Sequence, residues 1–157
     1  MSYDDIRDAR QILFDHLALA ILEQGRPSTI TKMDGGWGCM YRGDNGCKCV
    51  VGHAIPDDLY DRSLEGNHID AILLTECQNP AFSEWQAQLR PHRQMLSSMQ
   101  FEHDALASFG ADSVAFRREW VKAMKRVAAA NWLSADVVCE AAYKKHDISV
   151  ARQSPGV

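Results

Sequence analysis

The sequence predicts a predominantly helical α+β domain: five or six helices packed with one short β-hairpin at about residues 39–51. Three observations carry this. Apolar residues recur at three- and four-residue spacing through much of the chain, as in amphipathic helices. Asn45-Gly46, the strongest short turn signal, lies between two runs that read as strands. A length of 157 residues, 46% hydrophobic and 24% charged, fits one globular domain with its own core.

The elements follow in order. Ile6, Ala9, Leu13, Leu17, Ala20 and Ile21 form one helical face, Ser2 caps its start, and Gly25-x-Pro27 stops it. His16 lies at the boundary of that face. Ser28 to Gly38 reads as a short extended piece and loop. Cys39–Arg42 and Cys47–Val51 read as the hairpin strands around Gly43-Asp44-Asn45-Gly46, and Gly52 ends the second. Pro56 opens a short acidic helix with Leu59, Tyr60 and Leu64 as its contacts. Ile69 to Leu74 is a short buried piece, and Phe82 to Leu89 is helical. Pro91 begins or kinks a helix whose face is Met95, Leu96, Met99, His103 and Leu106, closed by Gly110. Asp112 or Ser113 caps a helix with Phe116, Trp120, Met124, Val127 and Ala128 inside, and Ser134 caps the last. Residues 1–150 form a single domain, and 151–157 read as a flexible tail.

Charge and composition bound the function. Residues 1–112 carry 9 Lys+Arg against 17 Asp+Glu, and residues 113–157 carry 8 against 4. This asymmetry marks either a partner surface or two solvated helix faces. Asp57, Asp58, Asp61 and Glu65, with Trp37, are candidate partner contacts. Arg118, Lys122, Lys125 and Arg126 offer a weaker route to nucleic acid, against the net charge of -4. No apolar run reaches membrane-spanning length. The acidic start lacks a secretory signal, and five cysteines leave one over from any disulfide framework. The expected location is the cytoplasm, where thiols stay reduced.

The densest chemistry is Cys39 to His53, with three cysteines and a histidine. Register decides whether they meet. If Gly43 pairs with Cys47, Cys39, Tyr41, Cys47, Cys49 and Val51 share a face. If Arg42 pairs with Cys47, Cys39 moves to the other face. The spacing C-x₇-C-x-C-x₃-H supplies four possible zinc ligands outside the usual paired spacings. Cys39 or Cys49 could instead be a thiol activated by His53 or His103, with Asp104 adjacent. Against both stand buried thiols acting as small hydrophobes and a hydrogen-bonded core histidine. No zinc-deaminase, H-E-x-x-H, phosphate-loop, G-x-S-x-G or G-x-G-x-x-G signature is present.

Cys39-x-Tyr41-Arg42, Lys48-Cys49-Val50-Val51-Gly52, Ile55-Pro56-Asp57-Asp58-x-Tyr60 and Leu64-Glu65-Gly66 form an ordered set of blocks. With Met99-Gln100-x-x-His103-Asp104 and Trp120, this set resembles a family of small uncharacterised bacteriophage and prophage proteins, over roughly residues 1–138. The resemblance implies a phage or mobile-element origin and no particular activity. Cys39 and Cys49 match its pattern, Cys47 is an addition, and position 53 is often Cys where this chain has His53. That exchange suits a metal ligand and also a semi-buried site. Cys39, Cys49, His53 and His103 are then the candidate metal set, with zinc as the possible cofactor.

The expectation is a non-enzymatic phage- or prophage-type accessory protein in the bacterial host's cytoplasm. It would bind and modulate a host macromolecule, foremost a host protein, as a host-takeover or anti-defence inhibitor. The alternative is a metal- or thiol-dependent protein or enzyme using Cys39, Cys49 and His53.

Overall fold

The computed structural model describes residues 2–31, 37–110 and 112–149, with Trp37 described by its backbone only. The expected tail, 151–157, lies outside the described residues. The architecture is predominantly helical α+β, with one two-stranded antiparallel sheet. Its elements are α1 Tyr3–Gln24, β1 Thr29–Thr31, β2 Trp37–Cys39, α2 Val50–Ala54, α3 Ile69–Leu74, α4 Pro80–Leu89, α5 Arg93–Ala105, α6 Ser113–Ala130 and α7 Asp136–His146. Among the described residues no helix is long and apolar enough to cross a membrane.

Helix ends follow the expected chemistry. Ser2 and Asp5 form a reciprocal capping box, and Gly25 closes α1 in the left-handed conformation. Asn79 caps α4 ahead of Pro80, and Asp112 caps α6 through the Ala115 N–H. Ser134 acts one residue before the α7 cap, accepting the Asp136 N–H. The buried stripe of α1 is rotated from expectation: Phe14, Leu17, Ala18, Ile21 and Leu22 are inside, while Ala9 is exposed. Trp120 of α6 fixes this orientation by donating its indole N–H to Ala18 O.

The core is a layered helix packing. Helix α1 lies against α2, α6 and α7, and α5 lies against α2, α3 and α6. Phe14, Leu17, Leu96, Met99, Phe116, Trp120 and Met124 are fully buried at its centre. Burying these side chains supplies the main favourable term for folding.

The strand pair falls earlier than the predicted hairpin. Thr29 pairs with Cys39 and Thr31 with Trp37. At 39–51 the ladder shrinks to one bridge, Arg42 with Lys48. Its register is the one in which Gly43 opposes Cys47, with Gly43 N–H donating to Cys47 O at 2.8 Å and Gly46 left-handed at φ 71°. The run Cys47–Val51 does not continue as a strand, because the chain turns into α2 at Val50. Cys49 Sγ accepts the Gly52 N–H and caps that turn.

The acidic helix expected after Pro56 is also corrected. Pro56 O instead accepts both the Leu59 and Tyr60 N–H groups in a turn, and Arg62–Leu64 is a single 3₁₀ turn capped by Asp61. Leu59, Tyr60 and Leu64 still pack against the core, from turns rather than from a helix.

Candidate functional site

The Cys39–His53 segment has little regular secondary structure, so its backbone groups need other partners. Side chains from three directions supply several of them. From α1, Gln24 mimics a neighbouring strand: Oε1 accepts the Lys48 N–H at 2.9 Å and Nε2 donates to Lys48 O at 3.0 Å. From α5, Gln100 Oε1 accepts the Val51 N–H at the start of α2. From the turn after Asp61, Glu65 accepts the Tyr41 N–H at 2.8 Å, the Arg42 N–H at 3.0 Å and the Tyr60 hydroxyl at 2.8 Å. Tyr41 OH donates to Asn67 O. Outside, Asp57 receives both Arg42 and Lys48.

His103 and Asp104 anchor the inner side. His103 is fully buried, and its Nε2 accepts the Ser28 N–H at 3.2 Å. Nδ1 must then carry the proton, which it donates to Asp104 Oδ1 at 3.1 Å. Gln100 Nε2 donates to the same oxygen at 2.7 Å. Both ring nitrogens of His103 are therefore engaged, leaving neither for a metal or for proton transfer.

Burial favours the protonated form of Cys39 and Cys49. Burial pushes Cys39 up to about 12, helped by the negative charge of Asp104 and a hydrogen bond to it. Burial pushes Cys49 up to about 12 as well. A protonated thiol is a poor nucleophile. His53 is held down to about 4, first by burial and then by the charge of Lys48. Its Nε2 lies 3.3 Å from Gln24 Oε1, an acceptor, so Nε2 carries the proton.

The four candidate metal residues thus gather on one side of the fold without forming a ligand set. Among the described residues, no three His, Cys, Asp or Glu side chains are placed to hold a metal ion. Cys47 is buried, with its carbonyl accepting Gly43 N–H and Ser28 Oγ–H.

The acidic partner candidates are largely committed to the fold. Glu65 faces inward, Asp61 caps its 3₁₀ turn, and Asp57 bridges two cations. Asp58 is exposed. The Trp37 side chain lies outside the described residues. Of the basic set, Arg126 pairs with Glu102 and Lys122 with Glu119, while Arg118 is exposed. Lys125 is half-buried beside the α6–α7 groove.

A surface that sequence reasoning missed lies at that groove. It encloses about 860 Å³ and is lined by Val121, Leu133, Cys139, Tyr143 and Ile148 among others. Beside it, in the α6–α7 turn, Trp132 is 86% exposed, and Tyr143 on the groove is 64% exposed. Trp132 adopts φ 58°, and the Leu133 N–H closes back on Ala128 O at 2.9 Å. This is the Schellman ending, whose left-handed position favours glycine. A tryptophan there costs about 1 kcal/mol in backbone conformation. The only sequence signal was an aromatic residue directly after Asn131 at a helix end.

No protein-family model, curated protein or solved structure matches the chain.

Proposed function

We propose that the protein is a non-enzymatic binding protein, a phage-type accessory factor that acts in the bacterial cytoplasm by docking a host protein on the α6–α7 groove. The observation that carries this reading is Trp132: a large apolar side chain held in solvent at a position where glycine would be less strained. Backbone strain kept at an exposed residue points to function rather than to packing. Tryptophan and tyrosine are also the side chains that most often dominate binding energy at interfaces. The host assignment is supported by the resemblance to phage and prophage proteins. The non-enzymatic part is supported by the protonated thiols and the fully bonded His103.

The test uses immobilised wild-type protein, Trp132→Gly and Tyr143→Ser in lysate of the host bacterium. Wild type is expected to retain one host protein in stoichiometric amount. Trp132→Gly should melt no lower than wild type, because glycine relieves the strained φ, yet lose that partner. Absence of a stoichiometric partner, or equal retention by all three proteins, would overturn the proposal.

A further inference from the structure

Asn45-Gly46 shapes the turn at the head of the Cys39–His53 segment, and it is also a reactive dipeptide. The Gly46 nitrogen carries no neighbouring side chain of its own to shield it, so it can attack the side-chain carbonyl carbon of Asn45. Asp44, Asn45 and Gly46 are all exposed, and a Cβ built on Gly46 would meet nothing. Solvent and base therefore reach the site.

The fold decides whether that attack can occur. Asn45 lies at φ 59° and ψ 28°, and Gly46 at φ 71°. Two successive positive φ angles make the mirror-image turn that hairpins favour. The Cys47 N–H closes it on Asp44 O at 3.2 Å. At this ψ the Gly46 nitrogen stands nearly opposite the Asn45 Cβ about the Cα–C bond, whatever the side-chain rotamer. The side-chain carbonyl is out of its reach, and ring closure requires a rotation of ψ that undoes the turn. Two contacts with β1 resist that rotation. The Thr31 N–H donates to Asp44 Oδ2 at 3.2 Å. Gly43 lies so close to the strand that a Cβ there would stand 2.6 Å from Ser28 Oγ and 2.7 Å from Thr29 O.

We infer that Asn45 is a covalent-modification site gated by this turn: it deamidates when the Asp44–Cys47 turn opens, and the product prevents the turn from reforming. The Gly46 nitrogen bonds to Asn45 Cγ, and the side-chain nitrogen leaves as ammonia with the proton that Gly46 gives up. Water then opens the cyclic imide. Opening at the side-chain carbonyl gives aspartate. Opening at the backbone carbonyl gives isoaspartate, whose main chain runs through Cβ and Cγ and is one atom longer. The longer loop no longer matches the pairing of Gly43 N–H with Cys47 O, which sets the register of the Cys39–His53 segment. A transient local opening thereby becomes a permanent loss of register.

The test follows the Asn45 peptide by chromatography and mass spectrometry, which separate the asparagine, aspartate and isoaspartate forms. The full chain is incubated at mildly alkaline pH, folded and in denaturing urea. Folded wild type is expected to lose the Asn45 amide at least about tenfold more slowly than the unfolded chain, because reaction waits on local opening. Asp44→Ala, which removes the acceptor of the Thr31 N–H, should close most of that gap while reacting in urea at close to the wild-type rate. The isolated isoaspartate form should melt below wild type, whereas Asn45→Asp, with a backbone of normal length, should melt near it. Equal rates in folded and unfolded wild type would overturn the inference. So would a folded Asp44→Ala protein that reacts no faster than wild type, or an isoaspartate form as stable as wild type. The wild-type comparison needs no variant, so it decides the gating even where Asp44→Ala does not fold.

Discussion

Ser28 gives its backbone N–H to His103 Nε2 at 3.2 Å, across 75 residues of sequence. One buried imidazole thereby joins the start of the strand pair to α5 and, through Nδ1, to Asp104. The histidine is a tie between elements. Replacing it with alanine leaves the Ser28 N–H without its acceptor and opens a cavity beside Phe116 and Trp120. His103→Ala should lose about 2–4 kcal/mol of stability in a urea titration. An unchanged urea midpoint would remove the tie from the account.

Glu65 holds two successive backbone N–H groups that no strand partner reaches. Glu65→Ala should cost about 2–4 kcal/mol, because both donors lose their acceptor. Glu65→Gln keeps one acceptor oxygen and should cost less. Thermal melts of the three proteins give the order wild type, Gln, Ala. An alanine variant as stable as wild type would contradict it.

Gly52 is where α2 crosses the Tyr41 backbone. A Cβ built there would lie 1.9 Å from Tyr41 O, and backbone cannot yield as a flexible side chain does. Gly52→Ala should destabilise by about 3 kcal/mol or more, visible as poor expression or a markedly lower Tm. Gly46, whose Cβ would meet nothing, is limited by its φ of 71° alone and should tolerate Asn with a much smaller loss.

His53 predicts the acid side of the stability profile. Its folded value of about 4 lies below the ordinary 6.5, so the unfolded chain takes up the proton first. Its contribution is complete above about pH 6.5 and is lost as pH falls from there toward 4. Burial lowers His92 too and acts in the same direction. The Tm should fall between pH 7 and pH 5, and His53→Gln should flatten that fall. A slope identical in the variant would assign it to other groups.

Much of the helical architecture was legible because caps and periodicity are local. Ser2, Gly25 and Asp112 each act within a few residues of where they stand, while the Asn79 cap of α4 emerged only in the structure. The core face of α1 was misread by part of a turn, since the stripe through Ile6 and Ala9 competes with the one through Phe14 and Ala18. Helix α2 was hidden for a different reason. Cys47-Lys48-Cys49-Val50-Val51 has the composition of a strand, and what bends it is non-local: Gln100 on Val51 and the close crossing at Gly52. The correct register was one of two that loop chemistry allowed, and Gly46 at positive φ selects it.

The chemistry of the candidate site was legible in residue type and illegible in purpose. Tyr41, Arg42, Lys48, Cys49, Gly52, Glu65, Gln100, His103 and Asp104 are the residues that hold the Cys39–His53 segment in place. Trp132 matters only through its exposure, which sequence spacing does not express.

The central claim is that the Cys39–His53 segment is a side-chain-tied part of the fold, with thiols that do no chemistry. Thiol titration of the native protein at pH 7, with each cysteine followed by mass spectrometry, tests it most directly. Cys77 is expected to react at the rate of an ordinary exposed thiol and the half-buried Cys39 far more slowly, while Cys47 and Cys49 react only when the chain unfolds. Reaction of Cys39 or Cys49 faster than a free thiol, or its suppression by added zinc with one equivalent retained, would contradict it.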